Sequence, residues 1–336
     1  MKGLIKRLTE AFGPSGSEEE VRELIKSEIE GLVSRVETDP LGNLCAIREG
    51  AGGGRRVMLA AHMDEIGVMV THIDEKGFLR FAPIGGVNRL TLLGSRMVFA
   101  NGVVGSFGLE ERGRERPPQR ERVPRIDQTY LDVGAPDKDS VPVRIGDAAC
   151  FQRGFVDLGQ RMVAKSFDDR IGCAVLIQVM RELRTSPHNV SFVFTVQEEV
   201  GLRGATTSAY AAQPDLAIAV DVTTTGDTPE ARTMAVSLGQ GPAIKVKDRG
   251  MLAHPAVRRL LVETAEELGI PYQLEVLERG TTGAMAIQVS REGVPTGVLS
   301  IPTRYVHTPS QIVDYADVEN AVKLLVGLLS KPINLG

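Results

Sequence analysis

Five short polar clusters interrupt the apolar runs of this chain. They are His62 and Asp64 in "AAHMDE", Asp168 and Asp169 in "SFDDR", Glu198 and Glu199 in "TVQEEVGLRG", Asp221 in "AVDVT", and His307 in "RYVHTPS". Imidazole with carboxylate is a donor set for zinc, cobalt or manganese rather than for copper(I) or an iron–sulfur cluster. The two adjacent glutamates pose the sharpest problem. The run "VSFVFTV" before them reads as a buried strand, along which neighbouring side chains point to opposite faces. An unpaired buried carboxylate is costly. Glu198 and Glu199 therefore lie outside the core, or something there uses two acids for two tasks.

Each cluster also has an ordinary reading. A lone histidine is more often a surface or satisfied core residue than a ligand, and His72, His188 and His254 are read that way. Two aspartates ahead of a helix can simply cap it, a role open to Asp169, although capping needs only one acid. Asp221 after an apolar strand could be a turn residue. His62 differs because of Asp64: if the chain stays extended there, the two share a face. Asp64 could then accept the second ring N–H and orient the imidazole toward a metal.

The elements that must position these groups alternate. Apolar spacing predicts helices over residues 2–12 and 171–183, over "AVRRLLVETAEELGI" up to Gly269, and over a C-terminal segment beginning near Asp317. Ser17, with Glu20 three residues on, has the spacing of a helix N-cap. Strands are expected in "RRVMLAAHMDEIGVMV", "VSFVFTV", "PDLAIAVDVT" and "TGVLSIP". Strands alternating with helices predict an α/β fold, a sheet flanked by helices. Ligands of such sheets gather outside the carboxyl ends of strands, where most of the polar clusters fall. Between residues 72 and 163 helical periods vanish, and short strand-like runs alternate with Gly, Pro and Asp turns. That texture predicts a small β domain inserted into an α/β domain made of residues 1–71 and 164–336. Within it the stretch 110–125, dense in both charge signs, reads as a solvated loop, with an assembly contact or a gate as the sharper alternative.

Composition narrows the class. With 336 residues, 42% apolar and 24% charged, the chain has the profile of a globular protein with one large domain and a smaller one. A net charge of −4 with interleaved signs gives no case for nucleic acid, and no Trp is present to stack bases. No apolar run approaches the ~20 residues of a membrane span. Cys45, Cys150 and Cys173 are odd in number and far apart, which reads as free thiols in a reducing, cytoplasmic compartment.

Taken together, "HMDEIG", "KSFDDRIG", "QEEVGLRGA", "AVDVT" and "IPTRYVHTP" resemble the M42 aminopeptidases, and the resemblance extends over nearly the whole chain through "FGPSGSE" and the C-terminal helix. It implies a zinc-peptidase-like (phosphorylase/hydrolase-like) α/β fold, a mixed sheet flanked by helices with an inserted barrel-like β domain. It implies two divalent metal ions per subunit, zinc or cobalt, with manganese also accommodated. His62 and Asp221 would hold one, Glu199 and His307 the other, and Asp168 both. Glu198 would be the general base toward a water between the metals, Asp64 would orient His62, and the Asp168–Asp169 bond would be cis. The charges agree: two divalent cations are balanced by Asp168, Glu199, Asp221 and one hydroxide, so the cluster can sit in a low-dielectric cleft.

The implied activity is hydrolysis of the N-terminal peptide bond of peptides with a free N-terminus. The implied assembly is a dodecamer, with a dimer through the β domain as the minimum. Two other readings stand beside it: a metal-stabilised peptide-binding scaffold without turnover, and a glycoside hydrolase, since relatives are sometimes labelled endoglucanases. Three places depart from the family pattern. Thr281-Thr282-Gly283 stands where Thr-Asp-Ala is usual, Ser310 and Gln311 stand where valine and glutamate are usual, and the loop 110–125 has its own wording. These touch specificity rather than the proposed ligands.

Overall fold

The computed structural model describes residues 1–110, 123–231 and 233–335, so most of the charged stretch 110–125 lies outside the described residues. An eleven-stranded mixed sheet, flanked by helices, forms one part of the molecule, and a closed six-stranded antiparallel barrel forms the other. The expected α/β fold with an inserted barrel-like unit is therefore what the chain adopts.

Four parallel strands make the centre of the sheet. Asn189–Thr195 pairs with Arg56–His62, placing Thr195 opposite His62. Arg56–His62 pairs on its other side with Leu216–Thr223, which in turn pairs with Thr296–Arg304, Asp221 opposite Ser300. Because all four run the same way, their carboxyl ends open on one edge, where the polar clusters emerge. Antiparallel strands extend the sheet on both sides, through Leu44–Arg48 and through Gln311–Asp314.

The central strands are apolar on both faces because both faces are covered. Along Arg56–His62, Val57, Leu59 and Ala61 join the main core. Met58 and Ala60 join a smaller cluster with Ala205, Ala209 and Ile287, from the helices Arg203–Ala212 and Ala284–Gln288. The helix Phe167–Glu182 is buried along nearly its whole length, packed between the sheet and the helices Lys2–Glu10 and Tyr315–Leu329. Its N-terminus therefore starts deep in the molecule, and Asp168 with it.

The barrel closes through the strands Gly67–Ile73, Leu79–Ile84, Thr129–Asp132, Val104–Leu109, Arg96–Phe99 and Ala148–Phe151, in that order around the ring. It has a core of its own, including Val68, Leu79, Met97, Phe107 and Phe151. The chain enters the barrel past Glu65 and returns to the sheet through Arg161–Ala164, ahead of Lys165. These two residues meet in a buried ion pair, Lys165 Nζ lying 2.6 and 2.8 Å from the two Glu65 oxygens. Arg170 adds a third charge 3.3 Å from Glu65. Such a pair offsets its desolvation only through good geometry, and breaking one partner is far costlier than lacking both.

Two local expectations change. Ser17 does not cap a helix: the second helix spans Glu19–Ile29 with Glu18 at its N-cap position, and the Glu18 carboxylate turns away to other backbone groups. The C-terminal helix begins at Tyr315, capped by Asp314, whose side chain accepts the Ala316 N–H. Asp317 lies inside that helix, buried, accepting the N–H groups of Gly239 and Gly241. The cysteines are free thiols, Cys150 and Cys173 buried. No helix among the described residues is long and apolar enough to cross a membrane.

Candidate metal centre

The polar clusters converge. His62 Nε2 lies 3.1 Å from Asp168 Oδ1. His307 Nε2 lies 3.1 Å from the other Asp168 oxygen and 3.2 Å from Glu199 Oε1. Two groups of donor atoms result, His62–Asp168–Asp221 and Asp168–Glu199–His307, each with ligand atoms within 4.8 Å of one another. Asp168 belongs to both.

Each side chain arrives by a different route. His62 ends its strand, Asp221 lies within the next, and Glu199 follows Thr195 after a short turn. His307 follows Thr296–Arg304 in a loop where Tyr305 and His307 both have left-handed backbone, φ 60° and 63°. Asp168 sits at the start of the buried helix, and the Asp168–Asp169 bond is cis. Gln311 Oε1 accepts the Asp168 N–H at 2.9 Å. Asp169 makes the expected cap, accepting from Gly172 N–H at 3.1 Å. Its second oxygen accepts the backbone N–H of His62, also at 3.1 Å.

Asp64 differs in detail from the expectation. The oxygen nearest His62 Nδ1 is the Asp64 backbone carbonyl, at 3.0 Å; the carboxylate stands at 3.4 Å. The carboxylate is drawn off by other donors. It accepts from Ser15 Oγ at 2.6 Å and from the backbone N–H groups of Glu198 and Glu199 at 3.0 and 3.1 Å. Asp64 thus bears on both the first histidine and the acid pair.

The barrel supplies part of the wall. At Gly86, just past the strand Leu79–Ile84, a Cβ would fall 2.4 Å from His307 Nδ1. At Gly85, with φ of +71°, it would meet the Glu199 carboxylate at 3.0 Å.

Charge balance tests whether this cluster fits cations. Burial pushes the Asp221 carboxyl up to about 7, with the His62 charge opposing and Asp168 adding. Burial, with Asp221 and Glu199 adding and His62 opposing, drives Glu198 well above its ordinary value. Burial alone would push both imidazoles down. Hydrogen bonds to Asp168 and Glu199 outweigh it at His307, which rises to about 11, and bonds to Asp168 and Asp64 do so at His62. Asp168 is the counterpart: burial pushes it up, but bonds from His307 and His62 hold it below the carboxylate range. The cluster has more negative charge than its own groups can neutralise, and without cations it takes up protons. Its donors are oxygen and imidazole nitrogen, suited to zinc, cobalt or manganese.

The remaining histidines keep their ordinary roles. His188 is buried and satisfied, accepting from Arg55 N–H and lying 2.7 Å from the Lys331 carbonyl. His72 and His254 are exposed. Thr282, at the departure from the family pattern, is buried and accepts the Ala284 N–H at 3.3 Å, starting the short helix. Thr281 donates to Asp248. Sequence reasoning missed Ser15 and Glu18 as supports of the acid pair. It met Gln311 only as an odd residue, and saw no link between Gly86 and His307.

The profile of a family described as M42 glutamyl aminopeptidase matches residues 42–324. A lysyl aminopeptidase of Pyrococcus furiosus is 37% identical over 340 residues, which cover 98% of this chain and 96% of that one. Among solved structures, an aminopeptidase from the archaeon Desulfurococcus kamchatkensis matches with a TM-score of 0.93 at 42% identity, over 98% of this chain and 94% of that chain. A TET1 peptidase of Pyrococcus horikoshii, described as able to assemble into a tetrahedron or a large octahedral shell, gives 0.84 at 32% identity, over 98% and 99%. A structure from Thermotoga maritima described as an endoglucanase gives 0.81 at 37% identity, over 97% and 96%.

Proposed function

The chain belongs to the M42 glutamyl aminopeptidase family, and from that premise we propose that it removes the N-terminal residue from peptides at a centre for two divalent cations. Membership makes it a metal-dependent peptide hydrolase. The observation that carries the finer reading is the pair of donor groups sharing Asp168. His62, Asp168 and Asp221 would hold one cation, and Asp168, Glu199 and His307 the other, with zinc, cobalt or manganese the fitting metals. When bound, such ions polarise the scissile carbonyl and lower the pKa of a water molecule.

The chain's own groups divide the remaining work. Among the described residues, Glu198 is the one carboxylate of the cluster whose oxygens accept no hydrogen bond and join no ion pair. Asp64, Asp168, Asp169, Glu199 and Asp221 are all engaged. A carboxylate left free, in surroundings that raise its proton affinity, is equipped to take a proton from water and pass it to the leaving amine. Asp64 holds His62 through Nδ1, so that Nε2 faces the cluster, and fixes the backbone of Glu198 and Glu199. The free Glu198 also weighs against a scaffold without turnover, which would need the ligands but not the base.

The endoglucanase description of one neighbour raises glycoside hydrolysis as a second reading. Glycosidases set two carboxylates on either side of the scissile bond, which would leave both imidazoles without a task. The barrel-like unit, expected over residues 72–163, is proposed as the assembly domain. Its attachment beside the centre and the shell-forming relative support a closed oligomer, a dodecamer or at least a dimer, acting on peptides small or unfolded enough to enter. The free thiols support a cytoplasmic setting.

The test is chelator-stripped protein reloaded with zinc, cobalt or manganese and offered a panel of aminoacyl anilides beside a cellulosic substrate. Turnover of the anilides should return with metal. Glu198→Gln should keep its metal while kcat falls by about 10²–10⁴-fold. An E198Q protein as fast as wild type removes Glu198 as the base. A loaded wild type that cleaves only the polysaccharide sinks the peptidase reading.

A further inference from the structure

Four consecutive backbone N–H groups beyond the strand Asn189–Thr195 are accepted by side chains. Val196 donates to Asn43 Oδ1 at 2.9 Å, and Gln197 to Glu18 Oε1 at 3.1 Å. Glu198 and Glu199 donate to the two oxygens of Asp64. The strand has run out of neighbours there, and these three side chains replace the ladder.

We propose that Glu18 is a positioning residue for the hydrolysis: by holding the backbone of Gln197 it sets the direction in which Glu198 projects. Gln197 has a left-handed backbone, φ 55°, a conformation that residues other than glycine adopt mainly when surroundings impose it. Glu18 is 4% exposed, and no basic side chain pairs with it among the described residues. The same oxygen that takes the Gln197 N–H also takes that of Gly16 at 2.8 Å. A buried acid without a cation is a poor stabiliser, and its pKa of about 7 records that burial. Its evident use is the reach of its carboxyl oxygen across to the acid-pair turn.

The turn that carries Glu18 is itself anchored to the centre. Ser15, in "GPSGSE", donates its hydroxyl to Asp64 and its backbone N–H to the Glu65 carbonyl at 3.3 Å. The N-terminal segment thus reaches the acid pair twice, through Ser15 to Asp64 and through Glu18 to Gln197. A base displaced by about 1 Å can cost ~10²-fold in rate, so slack at Gln197 would reach turnover without touching substrate affinity.

The inference rests on Glu198 as the proton acceptor. Its test compares Glu18→Gln, which keeps the reach and an acceptor oxygen, with Glu18→Asp, which keeps the charge but is one methylene shorter. Metal-loaded full-length proteins are assayed for kcat and KM, and metal-free proteins for backbone hydrogen exchange over residues 195–201. E18D should lose about 10-fold or more in kcat with KM within about 2-fold, and should exchange faster in that segment. E18Q should stay close to wild type in both. A wild-type kcat in E18D overturns the proposal. So does an E18Q loss as large as that of E18D, which would assign the effect to charge, and so does a lowered melting temperature with normal kcat and exchange. A loaded wild type that turns over no aminoacyl substrate would sink the reading of the centre instead, and the exchange comparison would still decide whether Glu18 holds Gln197.

Discussion

Gly86 lies against the imidazole of His307 so closely that a Cβ would fall 2.4 Å from Nδ1. A glycine beside the barrel thereby sets where a ligand carried by a central strand of the sheet can stand. Gly86→Ala must displace the ring whose Nε2 faces Asp168 and Glu199. Supports of metal ligands are typically worth about 10–100-fold in affinity or activity. Metal content should fall toward one equivalent and kcat by a similar factor. Two full equivalents by elemental analysis, with a wild-type rate, would show that the ring accommodates the methyl group.

Asp168 faces both histidines at 3.1 Å, one with each oxygen. Asp168→Asn leaves one acceptor oxygen and turns an N–H₂ toward one imidazole. At least one metal equivalent should be lost, and turnover with it. Full two-metal occupancy in the variant would contradict a shared carboxylate.

Loading the metal-free protein should release protons. With His307 raised to about 11 and Asp221 to about 7, the empty cluster at neutral pH holds a proton on the first and a fraction of one on the second. Both groups must give up their protons to coordinate. Raised groups stay protonated until pH passes their folded pKa, so apparent metal affinity should climb with pH through the neutral range. Calorimetric titration in buffers of different ionisation heat reads the proton count directly. Identical binding heats across buffers would contradict the prediction.

Asp227 and Arg304 form a two-pronged pair at 2.9 and 2.7 Å, which pins the end of the strand that leads to His307. Burial pushes Asp227 up, but the bonds from Arg304 and the Leu238 N–H outweigh it and depress its pKa. A depressed carboxyl contributes stability that is fully present above its unfolded value of about 4 and lost as pH falls toward the folded one. Asp227→Asn should therefore cost about 1–3 kcal/mol near pH 7, and the gap to wild type should shrink below about pH 4. A gap in melting temperature that does not change with pH would rule out the ion pair as its cause.

Much of the centre could be read before any fold was known, because chemistry and periodicity coincided. His62, Glu199, Asp221 and His307 sit just inside or after apolar runs, and parallel strands bring such positions to one edge. The supports were harder to see. Ser17 and Glu20 have the spacing of a helix cap, and that local pattern hid Glu18, whose partner Gln197 lies just beyond a distant strand. Asp317 looked like a helix start, yet it serves Gly239 and Gly241. Gln311 registered only as unusual until its oxygen was found on the Asp168 N–H. A glycine has no side chain to advertise a contact, so the Gly86–His307 approach left no trace in the pattern of residue types.

The barrel has its own interior, yet its loop presses on Glu199 and His307. The candidate centre is therefore a seam between two folded bodies rather than a hollow inside one. On the proposed reading competence belongs to the join: a slip of one body against the other would part the barrel's loop from Glu199 and His307 while every helix and strand stayed intact.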